Sequence, residues 1–282
     1  MTFDLTDQIL RTLIASGLQI GIAAVILKAA LFATERIGTS TFRSMERAIG
    51  YRSIIYTTGW IGTPVHELSH LLAAYMFRFR VLEFKPFSPD LESGLLGYVL
   101  FESKSDTRIN RIGLFVIGIA PLFGGIAVIL VLGLLLIPGL DLLIGKIVDA
   151  SFERNLVSVH AYLLLMGQAS LEGLRLLLNP ENLARWQFWV FLYFASCVST
   201  HLSPSKSDMQ ISREGITSII ILVIGGNAIA AALWFNPLGY TLYWGAFLGV
   251  VLSLLGLTLS ISLGVCLSSH ILTLPIRLLR LR

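Results

Sequence analysis

The chain is short of charge. Only 13% of its 282 residues are Asp, Glu, Lys or Arg, whereas a soluble globular domain carries about a quarter. It has no internal repeat, no low-complexity tract and no polar stretch long enough to build a separate soluble domain. Cysteine is nearly absent. Cys197 and Cys266 both lie in apolar segments without metal-ligand spacing, which argues for buried thiols and against a disulfide framework. The formal net charge of +4 is spread as basic clusters between apolar runs. That is the pattern of membrane orientation signals, and it gives no reason to expect a nucleic-acid partner.

Apolar sequence fills the space that charge leaves. Hydrophobic residues make up 55% of the chain, and its mean hydropathy is +0.79. Long uncharged runs at this composition mean a protein whose solvent is the lipid bilayer. Spans are expected over residues 9–32, 53–77, 109–137, 183–199, 216–235 and 240–272. The first lacks a small-residue cleavage site and is read as a retained span rather than a signal peptide. A polar linker bearing Arg36, Arg43, Arg47 and Arg52 follows it. Residues 139–179 are ambiguous. Their apolar run carries His160, Gln168, Glu172 and Arg175, and an amphipathic or partly buried helix is expected there instead of a crossing. Residues 81–101 alternate apolar and polar side chains around Pro-Asp and Ser-Gly turn signals, which predicts a β-hairpin at the membrane edge. The expected fold is therefore an all-α polytopic membrane protein of about six transmembrane helices with one small β-hairpin near the active site. A single integral membrane domain covers residues 1–282, with a core over 51–215 and C-terminal membrane helices over 216–282.

The second span contains His66-Glu67-Leu68-Ser69-His70. On a helix His66 and His70 lie one turn apart on one face, where both imidazoles can reach one zinc ion. Glu67 is rotated from that pair yet stays beside the metal, placed to take a proton from water. Three ionisable residues within five positions of a membrane helix are expensive to bury unless they have partners or a task. Pro64 lies just ahead of the motif, so a kink or restart is expected there, with Thr63 as a local cap. A third protein ligand is needed, and the loop over residues 201–208 offers two, Asp208 and His201. Asp208 follows a Ser-Pro-Ser-Lys-Ser turn that feeds a helix, where backbone donors can fix its carboxylate; it could equally be a helix cap without metal. Asn227 reads most simply as an interhelical hydrogen-bonding residue, Glu172 and Arg175 as a local ion pair, and His160 and His270 as structural histidines.

The chain resembles the site-2 protease family of intramembrane zinc metalloproteases. The likeness rests on the His66–His70 motif in a membrane helix, the β-rich stretch after it, Ala120-Pro121-Leu122 in the next span, and an Asp near the start of a later helix. It implies that His66, His70 and Asp208 hold Zn2+ and that Glu67 is the catalytic base. The sequence departs from the family at two points. Met209 follows Asp208 where the family has glycine, and Gly124 stands where its Gly-Pro-x-x-Asn pattern has asparagine. This marks a divergent branch. No PDZ-like insertion is present, so substrate selection would fall to the hairpin or the spans.

The expected activity is hydrolysis of a peptide bond in a membrane protein substrate at or within the bilayer. The competing readings are a metal-binding membrane scaffold without turnover and a transporter with buried ionisable residues. Arg78, Arg80, Lys85, Lys104, Arg108 and Arg111, with the basic C-terminal tail, place the active site toward the cytosolic face of the cell membrane; the Arg36–Arg52 linker runs counter to that assignment.

Overall fold

The computed structural model describes residues 5–103, 106–153, 159–233 and 237–280. It is predominantly helical, and among the described residues the sheet consists of two antiparallel strands. The chain runs α1 (Leu5–Ile49), α2 (Tyr51–Ile54), a π-helical turn (Ile55–Gly59), α3 (Trp60–Met76), β1 (Arg80–Lys85), β2 (Tyr98–Glu102) and α4 (Arg108–Leu136). It continues through α5 (Leu140–Glu153), α6 (Val159–Leu177), α7 (Pro180–Leu183), α8 (Trp186–Ser199), α9 (Lys206–Ala232) and α10 (Pro237–Arg280).

Four helical segments among the described residues are long and apolar enough to cross a membrane: Gln8–Ile49, Arg108–Leu136, Lys206–Ala232 and Gly249–Pro275. The expectation of about six spans is thus met for four. Helix α3 has 17 residues and α8 has 14. At 1.5 Å per residue α8 reaches about 21 Å, short of a bilayer core of about 30 Å, whereas α3 continues α2 and the π-helical turn in one helical run from Tyr51 to Met76 that is long enough to cross. Large side chains such as Val25, Phe32, Leu135, Leu222 and Ile271 project outward from the long helices. That arrangement suits a lipid-facing wall.

Helix α1 does not stop at the end of its apolar run. The expected linker around Arg36–Arg47 is the helix's second half, because residues 33–49 contain good helix formers and no proline. The helix ends at Gly50, whose φ of 87° is a left-handed turn that glycine adopts at little cost. Within residues 139–179 lie α5 and α6, and α6 packs along α10.

Helix α4 is central. It packs along α9 on one side and α3 on another, with α8 also against it. Its Leu122, Ile126 and Ile129 share a core with Phe188, Phe191 and Val198 of α8 and with Leu257, Ile261 and Val265 of α10. A second, smaller core of Ala73, Ala74, Phe79 and Ile117 lies under the hairpin, with Val81 and Phe101 packed on it. Glycines permit the close crossings: a Cβ at Gly118 would strike Asp208 and Ser212, and one at Gly215 would strike Arg111 and Phe115. Hydrogen bonds between helices supplement this packing. Asn227 Nδ2 donates to Ser16 Oγ at 2.8 Å and to Gln19 Oε1 at 2.9 Å, the interhelical role expected of it.

The hairpin leaves α3 through a tight reversal. The N–H of Arg78 donates to the Tyr75 carbonyl at 3.0 Å, and that of Phe79 to the Ala74 carbonyl at 2.9 Å. This pairing ends a helix with one residue in the left-handed region. That residue is Arg78, at φ 59°. β1 then pairs with β2 from Arg80↔Glu102 to Lys85↔Tyr98, with an irregularity between Val81 and Glu83.

Candidate metal centre

Helix α3 carries the motif through its middle. Pro64 neither restarts nor breaks it; the helix takes the proline into its second turn, and the departure from α geometry sits ahead of it in the π-helical turn 55–59. Thr63 is not a cap. Its hydroxyl is buried without a hydrogen-bond partner. It lines the same cavity, of about 440 Å3, as His66, Glu67, His70 and Asp208.

The two imidazoles are held alike. His66 Nδ1 is 2.8 Å from the backbone carbonyl of His201, and His70 Nδ1 is 2.8 Å from that of Ile117. A carbonyl only accepts, so each Nδ1 must carry a proton and donate it. In a neutral ring this leaves Nε2 as a bare lone pair. The two Nε2 atoms face each other at 3.2 Å.

Asp208 completes the group. It is the third residue of α9, and Ser205 is the N-cap. The Asp208 N–H donates to Ser205 Oγ at 3.2 Å, while the Ser205 N–H donates to Asp208 Oδ2 at 2.6 Å. This reciprocal capping box fixes the carboxylate. Oδ2 lies 3.4 Å from His66 Nε2, and Oδ1 lies 3.3 Å from His70 Nε2. Cap and metal-facing group are one residue, so the two roles weighed for Asp208 do not exclude each other.

Ligand atoms of His66, His70 and Asp208 all lie within 4.8 Å of one another, a grouping that could hold a metal ion. With both Nδ1 protons committed elsewhere, three electron-pair donors converge and repel unless a proton or a metal cation sits among them. The residues fit a metal. Glu67 is buried beside them, 8% exposed.

The His201 side chain is outside this group. Its Nδ1 donates to the Cys197 carbonyl at 3.0 Å, and its ring packs where a Cβ at Gly62 would stand. Burial pushes its pKa down to about 4, with the neighbouring His66 acting in the same direction and the Cys197 carbonyl opposing, so the ring is neutral near pH 7. His201 reaches the site through its main chain. Both carbonyls that orient the ligands, those of Ile117 and His201, escape a search for metal-binding side chains. Pro121, four residues after Ile117, is the one sequence signal for the first of them.

Cys197 and Cys266 are free and buried, and Arg175 Nη1 donates to Glu172 Oε1 at 2.5 Å within α6. The chain matches no family model, no curated protein and no solved structure.

Proposed function

We propose that this chain is a zinc metallopeptidase of the site-2-protease type, cleaving a peptide bond of a membrane protein substrate at or within the bilayer. The observation that carries the reading is the convergence of His66 Nε2, His70 Nε2 and the Asp208 carboxylate beside the buried Glu67. Two imidazoles and a carboxylate with a further position open to the cavity form the donor set of a catalytic zinc site. Size agrees as well. Ligands about 2.0–2.1 Å from a tetrahedral ion stand about 3.3 Å apart, and the three closest approaches here are 3.2, 3.3 and 3.4 Å.

Zinc, when bound, supplies Lewis acidity toward a carbonyl oxygen and makes water acidic near neutral pH. The chain's own residues do the rest. Glu67 accepts the proton of the attacking water and delivers it to the departing amine nitrogen. The free Thr63 hydroxyl, one turn before Glu67 on the cavity wall, can donate to water or to a substrate carbonyl. The segment Gly94–Val99 lines the same cavity, and β1 occupies one edge of β2. An extended substrate added along the other edge would be held at the wall of this cavity. A substrate helix must unwind to enter, since its carbonyls are otherwise bonded within the helix.

The basic residues flanking the hairpin support a cytosol-facing site in the cell membrane. The activity is tested by comparing membranes that contain the wild-type chain with membranes that contain Glu67→Gln. New protein N termini inside or beside membrane segments, present only with wild type, are expected. Identical N termini in both would overturn the peptidase reading.

A further inference from the structure

An α-helical carbonyl at residue i accepts from the N–H of residue i+4. For Ile117 that donor would come from residue 121, and residue 121 is proline, which has none. The Ile117 carbonyl is therefore deprived of its helical partner at a fully buried residue, and an unpaired carbonyl there is costly. His70 Nδ1–H takes it at 2.8 Å. The surroundings fit this pairing: Ile117 is fully buried, and Ala73 and Ala74 pack in the same small core, so α3 can lie close enough for the ring to reach the α4 backbone.

We infer that Pro121 is a positioning residue for the metal centre. By removing one N–H it frees the Ile117 carbonyl for His70, fixing the tautomer that aims Nε2 at the ion. His66 obtains the same control differently. Its acceptor, the His201 carbonyl, lies just past the end of α8, where no further helical turn claims it. The two ligand rings are thus set by two main-chain carbonyls withheld from helical bonding, one by a proline and one by a helix end. The consequence for metal affinity rests on the zinc reading above; the consequence for the His70 ring does not.

The test uses the purified full-length chain with Pro121→Ala and Pro121→Ser, each of which restores an N–H at 121, and Pro275→Ala in α10 as a control. Two quantities are read: zinc affinity by chelator competition, and the His70 tautomer in metal-free protein by 15N imidazole resonances, assigned by comparison with His70→Asn. The expected result is a single Nδ1–H tautomer for His70 in wild type and Pro275→Ala, mixed or reversed in both Pro121 variants. Zinc affinity should fall about 10–100-fold in those variants, the usual effect of losing a group that orients a ligand. Their thermal midpoint should hold or rise, because proline is the poorest helix former. An unchanged His70 tautomer in the Pro121 variants overturns the inference whatever the metal does. A wild-type chain that binds no zinc, with the tautomer change intact, would sink the zinc reading and uphold the positioning role.

Discussion

Gly118 offers a sharp test of how the centre is assembled, because it is where α4 lets α9 approach. A Cβ at this position would meet the Asp208 carbonyl, and it would lie 2.6 Å from Ser212 Cβ and 2.9 Å from the Ser212 nitrogen. Carbon atoms pack no closer than about 3.5 Å, so Gly118→Ala must drive the first turns of α9 away by about 1 Å. The obstacles include main-chain atoms, which cannot swing aside as a side chain would. Overpacking of this kind costs about 1–3 kcal/mol. The functional cost should be larger in proportion, since Asp208 moves with α9 while His66 and His70 stay on α3, and ligand distances tolerate only about 0.2 Å. Turnover should fall about 100-fold, the usual penalty for a 1 Å misplacement. The assay pairs turnover and chelator competition for zinc with a thermal midpoint. Gly225→Ala, on α9 with nothing within 4 Å of its Cβ, should leave all of these unchanged. Wild-type zinc affinity in Gly118→Ala would refute the idea that the α4–α9 approach sets the third ligand.

Four other outcomes are expected. Glu67→Gln should bind zinc as wild type does yet lose about 100- to 10,000-fold in turnover, the range for a general base, by metal analysis beside a cleavage assay. Ser205→Ala removes the hydroxyl that accepts the Asp208 N–H, and should cost about 1 kcal/mol by thermal or denaturant unfolding. Arg78→Gly relieves a left-handed residue at the end of α3, and should raise stability by about 1 kcal/mol in the same measurement. The Arg111 guanidinium beside Asp106, by hydrogen bond and charge, holds that carboxyl below its usual range. A carboxyl depressed in the folded state adds stability above its unfolded pKa and loses it as pH falls through the folded one. Asp106→Asn should therefore be slightly less stable than wild type at pH 7 and indistinguishable at about pH 2, by unfolding at both values.

The motif residues were legible because their spacing alone puts both imidazoles on one helical face, and Asp208 because it follows a Ser-Pro-Ser-Lys-Ser turn that feeds a helix, where backbone donors can fix a carboxylate. The hairpin followed from alternation and turn residues between 81 and 101. Helix lengths were less legible. Hydropathy marks where lipid-facing sequence stops, not where a helix stops, so α1 passed unnoticed through Arg36–Arg47 to Gly50. Pro64 marked an irregularity to within about a turn: α3 carries the proline, and the π-helical turn lies just ahead of it. Least legible were the carbonyls of Ile117 and His201. Every residue has one, and only tertiary contact decides which two are left free to orient a histidine.

The central claim is that His66, His70 and Asp208 hold one zinc ion. Its most direct measurement is the metal content of purified full-length chain supplied with zinc, for wild type, His66→Ala, Asp208→Ala and His201→Ala. The account predicts about one zinc per wild-type chain, lost in His66→Ala and Asp208→Ala and kept in His201→Ala, whose main-chain carbonyl remains. A folded wild type without metal, or zinc retained in both His66→Ala and Asp208→Ala, would contradict it.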